Sequence, residues 1–329
     1  MRAVQASEFG GPEVLAVREL PEPVAGPGEV VVDVAAADVM FLDTRLRGGW
    51  GTDFFAIEPP YVPGGAIAGV VAAVGPDVDP AWVGKRVSTP TAASGIGGGL
   101  PIGGYAEKAL AKANTLVTVP DGLSLPQAVA LVHDGRTALA VFDRAAVQPG
   151  EWVLITAAGG GLGTLLIQLA RAAGANVVAA ARGAAKLELA ARLGANAVVD
   201  YSEPDWSAKA HAASGGAQVV FDGAGGALGA AALAATADGG RFLGYGAAAG
   251  EFATLDRDVY TARGITVYGL FDITGADTDW HAVAERAQAE VAAGRLEVVI
   301  GQTFPLDQAD RAHALIESRA TSGRTLLTV

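Results

Sequence analysis

The stretch Val153-Leu154-Ile155-Thr156-Ala157-Ala158-Gly159-Gly160-Gly161-Leu162-Gly163 decides the fold. An apolar strand runs into a cluster of glycines, and the cluster opens a helix whose apolar positions Leu162, Leu165, Leu166, Leu169 and Ala173 share one face. Residues without side chains let the backbone turn sharply and approach a pyrophosphate closely. The helix start then offers unpaired N–H groups and a partial positive charge. The last glycine lets helix and strand pack tightly. With 45 glycines in the chain, the competing reading is that the cluster only packs a helix on a sheet. Against it stands the full strand–turn–helix–strand context that a dinucleotide motif demands.

From residue 152 onward, strands and Ala/Leu-rich helices alternate. Strands are expected near 152–157, 176–181, 197–200, 217–222, 240–245 and 265–270, with several helices closed by glycine, such as Gly174 and Gly194. Such alternation implies a parallel sheet covered on both faces. Residues 1–125 read instead as strand and turn, with Val30-Val31-Val32-Asp33-Val34 and Ile67-Ala68-Gly69-Val70-Val71-Ala72-Ala73-Val74 as β-rich runs. Gly97-Gly98-Gly99 and Gly103-Gly104 flank an expected mobile loop, either a lid over a ligand or a plain surface loop. Residues 126–146 look helical with a break at Gly135. The tail carries helical stretches near 279–293 and 308–319 and ends on a strand-like Thr325-Leu326-Leu327-Thr328-Val329.

The second strand of the unit selects the cofactor. An NAD-binding unit carries an acidic residue about 20 residues after the glycine turn, for the ribose 2′-hydroxyl. Here Asn176-Val177-Val178-Ala179-Ala180-Ala181 is followed by Arg182 and then Lys186, with no neighbouring carboxylate expected to repel a phosphate. Both cations would attract a 2′-phosphate, so the reading is NADP(H); the competing reading is two ordinary solvated charges at a helix start.

Composition narrows the function class. The 329 residues hold 23 basic and 35 acidic side chains, a net charge of −12, which argues against nucleic acid or an anionic membrane as partner. There is no cysteine, so disulfides, thiolate catalysis and thiolate metal sites are excluded. The uncharged stretch 152–170 is about as long as a membrane span, but its central glycines suit a buried strand, turn and helix better. No signal-peptide pattern opens the chain, so cytoplasm is the expected address.

With these residues in hand, the chain resembles the zinc-independent quinone oxidoreductase (zeta-crystallin-like) branch of the medium-chain dehydrogenase/reductase superfamily. The resemblance covers nearly the whole chain. Its carriers are Pro60-Tyr61-Val62-Pro63-Gly64 with Gly69-Val70-Val71, then Gly104-Tyr105-Ala106-Glu107, Val119-Pro120-Asp121-Gly122-Leu123-Ser124 and Gly135-Arg136-Thr137-Ala138. Val147-Gln148-Pro149-Gly150-Glu151 before the glycine turn and Gly323-Arg324-Thr325-Leu326-Leu327 complete them. The resemblance implies an α/β protein. A GroES-like β-rich catalytic domain would occupy residues 1–125, a Rossmann doubly wound parallel sheet domain 126–272, and a segment completing the catalytic domain 273–329, with the active site in the cleft between domains. It implies the pyrophosphate at Gly160, Gly161, Leu162 and Gly163, and the 2′-phosphate at Arg182 and Lys186. It places Tyr201 by the adenosine, and Thr137 and Phe271 on the nicotinamide side. Gly223, Ala224, Tyr245 and Gly246 would end two later strands at the cofactor, and Arg324 joins the cofactor-binding set. A homodimer is also implied, with the strand at 264–271 as the candidate edge.

Departures from the family pattern bear on chemistry. Zinc-dependent relatives carry a Gly-His-Glu stretch; here it is Gly64-Gly65-Ala66, and His133, His211, His281 and His313 show no metal spacing, so no catalytic zinc is expected. Met40 stands where many quinone oxidoreductases have Asn, three residues before Asp43-Thr44, and replaces a polar contact by an apolar one. His133-Asp134 stands where relatives have uncharged residues.

Without a Lewis acid, simple alcohol oxidation is the less natural chemistry. Conjugated acceptors accept hydride with less help, because charge spreads to a distant oxygen. Candidate proton donors are Tyr61, Tyr245 and His133, or solvent. Each has a plainer reading: Tyr61 in a core, Tyr245 as a wall against the nicotinamide, His133 at a helix cap. Asp43, Arg45 and Arg47 form either a salt-bridged turn or, with Met40 and Trp50, the lining of a substrate pocket. The leading reading is an NADPH-dependent reductase of quinones or α,β-unsaturated carbonyls. The alternatives are a biosynthetic enone or ketone reductase for a bulky polyketide-like substrate, and an NADPH-binding structural or sensing protein with little turnover.

Overall fold

The structure is a computed structural model that describes residues 1–93, 100–273, 275 and 278–329. Gly97, Gly98 and Gly99 of the expected loop lie outside the described residues. The chain divides into two compact units, one of Met1–Gly135 with Trp280–Val329, the other of Arg136–Asp279.

The first unit opens with β1 (Arg2–Ala6), β2 (Leu15–Glu19) and the long β3 (Glu29–Val39), followed by α1 (Phe41–Arg47), β4 (Ala66–Val74), β5 (Arg86–Pro90), β6 (Lys108–Lys112), β7 (Val117–Thr118) and α2 (Leu125–Leu131). Ser124 caps α2 by accepting the Gln127 N–H, and Pro126 occupies its first turn. The helix α3 (Asp134–Ala145) begins in this unit and runs into the second.

In the second unit, β8 (Trp152–Thr156), α4 (Gly161–Ala172), β9 (Asn176–Ala181), α5 (Ala184–Arg192), β10 (Ala197–Asp200), α6 (Trp206–Ser214), β11 (Ala217–Asp222), α7 (Gly226–Ala234), β12 (Thr236–Gly244), α8 (Arg257–Ala262), β13 (Thr266–Gly269) and α9 (Leu270–Ile273) alternate as the sequence implies. All pairings are parallel, in the order β10-β9-β8-β11-β12-β13. This is the doubly wound Rossmann arrangement, with its switch point between β8 and β11. Strands β8, β9 and β11 are nearly continuous buried apolar runs, as a sheet covered on both faces requires.

The chain then returns to the first unit through α10 (Trp280–Ala292), β14 (Ile300–Pro305), α11 (Ala309–Glu317) and β15 (Arg324–Thr328). Strand β15 pairs antiparallel with β3, so the C-terminus completes the N-terminal sheet, β14-β15-β3-β4-β5-β7, with β6 also on β3. Val30, Val32, Val34, Ile67, Val71, Leu116, Ile316 and Leu327 meet in its core. No helix among the described residues is long and apolar enough to cross a membrane, and 152–170 divides into β8, the turn and α4.

The compact units divide after Gly135 and after Asp279, and α2 packs on β3, β4 and β5 of the first unit. Two expectations need correction. The helix break falls at Val132 and His133, and Gly135 lies inside α3. There a Cβ would come within 2.9 Å of Leu131 and 3.0 Å of Ala287, so that glycine serves close packing. The chain at Leu270, read as the end of a strand, turns into the short helix α9.

Candidate active site

In the second unit, the turn after β8 has the form its sequence suggests. Ala157 takes the left-handed conformation, φ 51°, at the turn's entrance, a strained choice costing roughly 1 kcal/mol for a residue with a Cβ. Gly160 caps α4, and the Thr164 N–H returns to its carbonyl at 3.0 Å, so Gly161, Leu162 and Gly163 supply the first-turn N–H groups. A Cβ on Gly163 would lie 2.7 Å from Ala157 O, which makes this the close helix–strand contact. A Cβ on Gly159 would meet the Lys186 stem at 2.7–3.0 Å, so Lys186 lies across the turn. At Gly160 only Ala157 O comes near, at 3.4 Å, leaving that face open. An open backbone face with helix N–H groups beside it fits a pyrophosphate.

At the end of β9, Arg182 is exposed and Gly183, φ 83°, caps α5. Here the reading of the second strand needs a correction. Asp200, at the end of the neighbouring β10, accepts the Gly183 N–H at 3.0 Å. Its bonds from Ser202 and Gly183 and the nearby Arg182 hold its carboxyl below the usual range. The sheet therefore brings a carboxylate beside Arg182 that the local sequence lacks. Tyr201 donates its N–H to Ala181 O at 3.2 Å and stands edge-on to Trp206.

Strands β11 and β12 end together. The N–H groups of Tyr245 and Gly246 donate to Asp222 O at 3.0 and 3.2 Å. A Cβ on Gly223 would strike the Tyr245 hydroxyl at 2.5 Å, and one on Gly246 would strike Gly223 O at 2.5 Å. Gly223, Ala224, Tyr245 and Gly246 thus form one group at the carboxyl edge of the sheet, where open α/β sheets bind ligands. Sequence reasoning gave no role to Thr156, whose hydroxyl donates to Asp222 Oδ1 at 2.6 Å. Thr137 is half-buried in the first turns of α3, and Phe271 in α9 is 80% exposed.

In the first unit, Asp43, Arg47 and Arg324 fall into two buried networks. Asp43 Oδ2 accepts the Met40 N–H at 2.9 Å, capping α1, and the Tyr105 hydroxyl at 3.0 Å. Tyr105 also meets His313 Nε2 at 3.1 Å, and Arg47 meets His313 Nδ1 at 3.4 Å. Arg47 is buried, donates to Gly10 O and pairs with Glu317. That corrects the expected salt-bridged turn: Arg47 turns to α11, Asp43 to Tyr105, and Arg45 stacks 5.5 Å from the Trp50 ring centre. It also removes Arg47 from a solvent-facing pocket lining, since it is only 2% exposed. Burial pushes the Asp43 carboxyl up to about 7, and burial with Arg47 nearby pushes His313 down to about 3.

The second network joins Arg324 to Asp38 through Nε and Nη2 and to both oxygens of Asp134 at 3.0 Å through Nη1. Each nitrogen of the Arg324 guanidinium already donates to a carboxylate, which its expected cofactor role did not anticipate. Both Asp134 oxygens accept from Arg324, and burial pushes the Asp134 carboxyl up to about 6, against the pull of Arg324. Tyr61 pairs through its backbone with Ala6, and its buried hydroxyl has no partner among the described residues. Met40 is half-buried, its methyl 3.3 Å from where a Cβ on Gly65 would sit.

Two family models match the chain. Residues 26–121 match the alcohol dehydrogenase GroES-like domain family, and 161–289 the zinc-binding dehydrogenase family. A probable quinone oxidoreductase of Schizosaccharomyces pombe is 32% identical over 98% of this chain and 96% of its own. A 2-haloacrylate reductase of Burkholderia sp is 32% identical over 97% of this chain and 96% of its own. A mycobacterial protein solved in complex with NADPH superposes with a TM-score of 0.88 at 32% identity, covering 100% of both chains.

Proposed function

The chain belongs to the medium-chain dehydrogenase/reductase superfamily, among its quinone oxidoreductases, and from that premise we propose that it reduces quinones or α,β-unsaturated carbonyls with NADPH and without zinc. That it is an NADPH-dependent oxidoreductase acting on a small molecule follows from the full-length kinship with quinone oxidoreductases and from the NADPH-bound relative. The observation that carries the cofactor reading is the open glycine turn at the end of β8.

When bound, NADPH supplies hydride from C4 of its nicotinamide. The chain's own contribution is binding and orientation. The N–H groups of Gly161, Leu162 and Gly163 would hold the pyrophosphate, with Gly160 leaving room. Lys186, stretched across Gly159, and Arg182 would attract the 2′-phosphate. Tyr245 with Gly223, Ala224 and Gly246 would wall the nicotinamide half, with Thr137 and Phe271 as further contacts there, and Tyr201 would lie by the adenosine. Met40 and Trp50 are the substrate-side candidates. Tyr61, Tyr245, His133 or solvent would return the proton.

Zinc independence is supported by donor chemistry. The chain has no cysteine, and no group of three His, Asp or Glu among the described residues could hold a metal. At Gly65, where zinc relatives carry histidine, a Cβ would lie 2.8 Å from Pro101 Cβ. Conjugated acceptors suit such a site, and the 2-haloacrylate named for one relative is itself conjugated.

The experiment is NADPH oxidation against a panel of quinones, enones and 2-haloacrylate, before and after exhaustive chelation. Turnover of a conjugated acceptor, unchanged by chelation, is expected. Binding of NADPH without oxidation of any acceptor overturns the reductase reading in favour of a binding protein, and loss of rate on chelation overturns the metal-free one. We also propose that the enzyme is cytoplasmic and a homodimer joined through β13, one of the two edge strands of the six-stranded sheet; sedimentation of the purified chain tests the second point.

A further inference from the structure

The second unit has two glycine-rich turns at the same edge of its sheet, residues 159–163 after β8 and 223–226 after β11. In the first, the Gly160 N–H donates to Ala157 O at 3.0 Å, while Gly161, Leu162 and Gly163 open α4, where the first N–H groups have no intrahelical partner; in the second the amides turn inward. Asp222 Oδ1 accepts the Ala224 and Gly225 N–H groups at 3.1 and 3.2 Å, together with the Thr156 hydroxyl at 2.6 Å. Thr156 Oγ1, having donated its hydrogen, accepts the Gly223 and Ala224 N–H groups, both at 3.0 Å. The Asp222 carbonyl holds Tyr245 and Gly246, and the Gly223 and Ala224 carbonyls hold Ala248 at 3.2 Å and Ala249 at 2.6 Å. Asp222 and Thr156 are both fully buried.

We propose that Asp222 and Thr156 are positioning residues for the bound dinucleotide: by drawing the 223–225 amides inward they leave the 159–163 turn as the anion-binding one and fix which end of NADPH lies beside Tyr245. The proposal deepens the cofactor reading and rests on it. A glycine turn with free amides attracts phosphate as readily as a helix start does. Here the second turn presents a surface whose amides are spent on a carboxylate, which suits an uncharged ribose and nicotinamide. A buried carboxylate is a costly way to tie a loop, but hydrogen bonds to a charged acceptor are roughly twice as strong as neutral ones. Asp222 also fixes its neighbours' sizes. Its Oδ2, without a partner among the described residues, lies where a Cβ on Gly229 would be 2.1 Å away. One residue therefore ties the ends of β8, β11 and β12, three adjacent strands in the sheet.

The test compares the wild type with Thr156→Val, which keeps the shape and removes the hydroxyl, Thr156→Ser, which restores it, and Asp222→Asn. NADPH affinity is read by fluorescence titration, apo stability by thermal unfolding, and KM for NADPH against kcat by steady-state kinetics. Thr156→Val is expected to weaken NADPH binding about tenfold or more and to raise KM by the same factor, with kcat at saturation within about threefold. Thr156→Ser is expected to bind like the wild type. If Thr156→Val does not fold, Asp222→Asn replaces it, with an expected weakening of at least about threefold in affinity. Variants that unfold at lower temperature yet bind NADPH with wild-type affinity overturn the proposal, since the knot then only supports the fold. A wild type that fails to bind NADPH removes the cofactor reading and this proposal together; unaltered affinity in the variants removes this proposal alone.

Discussion

Tyr105 donates its phenolic hydrogen to Asp43 Oδ2 across 3.0 Å, with both residues closed off from water. One hydrogen-bond arrangement accounts for all three contacts: Arg47 donates to His313 Nδ1, His313 Nε2–H donates to Tyr105, and Tyr105 donates to Asp43. The link ties α1, which starts beside Met40, to α11 near the C-terminus. Tyr105→Phe keeps the ring but leaves the His313 N–H without its acceptor and Asp43 with only the Met40 N–H as donor. A buried polar group left unmet costs roughly 1–3 kcal/mol, so thermal unfolding of the variant should fall by several degrees while NADPH affinity holds.

The same network sets a pH dependence. The folded Asp43, at about 7 against an ordinary 3.8, keeps a proton that the unfolded chain gives up. Its contribution to stability is therefore fully present below pH 3.8 and lost as pH rises through about 7. Asp38 repels its charge further, while the Met40 N–H, Tyr105 and Arg324 favour it; together they do not offset burial. His313 runs the other way. Held down to about 3 from 6.5, it loses stability as pH falls, because the unfolded chain takes the proton first. Unfolding temperatures measured from pH 4 to 8 should fall more steeply on acidification in Asp43→Asn than in the wild type, and less steeply in His313→Gln. Parallel curves for all three proteins would contradict this assignment.

The sequence is most legible where structure is local. The 153–163 turn and the strands from β8 to β11 follow from continuous apolar runs punctuated by glycine, and the period of those runs is written in neighbouring residues. Strand β14 gave no such signal, because Ile300-Gly301-Gln302-Thr303-Phe304-Pro305 lies at a sheet edge, with no residue of it buried. The side-chain networks are invisible for a different reason. Arg324 meets partners 190 and 286 positions away, and Arg47 one 270 away. No spacing rule spans such separations; only the pairing of β15 with β3 brings Arg324 to Asp38. Asp200 escaped for the same reason, since it faces Arg182 through the alignment of β10 with β9.

Arg324 lies between two buried carboxylates, so its removal should be severe. Burial disfavours its charge, yet Asp134 and Asp38 outweigh that and raise its pKa. Arg324→Met leaves Asp38 and Asp134 buried without a counter-charge, a loss of roughly 3–5 kcal/mol for a broken buried pair. Adding Asp38→Asn and Asp134→Asn to that variant should restore much of the stability, because matched neutral groups avoid the unpaired charge. Denaturant unfolding of the single and triple variants checks this; a triple variant no more stable than the single one would point to packing rather than charge.

Cofactor selection tests the glycine turn and its neighbours together. Lys186, lying across Gly159, and the exposed Arg182 offer positive charge where the second strand ends, while Asp200 sits on the Gly183 N–H and opposes a phosphate there. Arg182 and Lys186 should outweigh Asp200, because Asp200 is already engaged by Ser202 and Gly183 and its charge is partly spent on them. NADPH should therefore bind at least about tenfold more tightly than NADH, ~1.4 kcal/mol. Lys186→Ala should bring the two affinities closer by weakening NADPH alone. Asp200→Asn should move them apart, since the amide still accepts the Gly183 N–H but no longer repels the 2′-phosphate. Higher salt should shrink the preference in every variant, as screening acts on exposed charges first. Equal wild-type affinities in a titration at low salt would reverse the assignment, and an unchanged ratio in Asp200→Asn would place the 2′-phosphate away from Gly183.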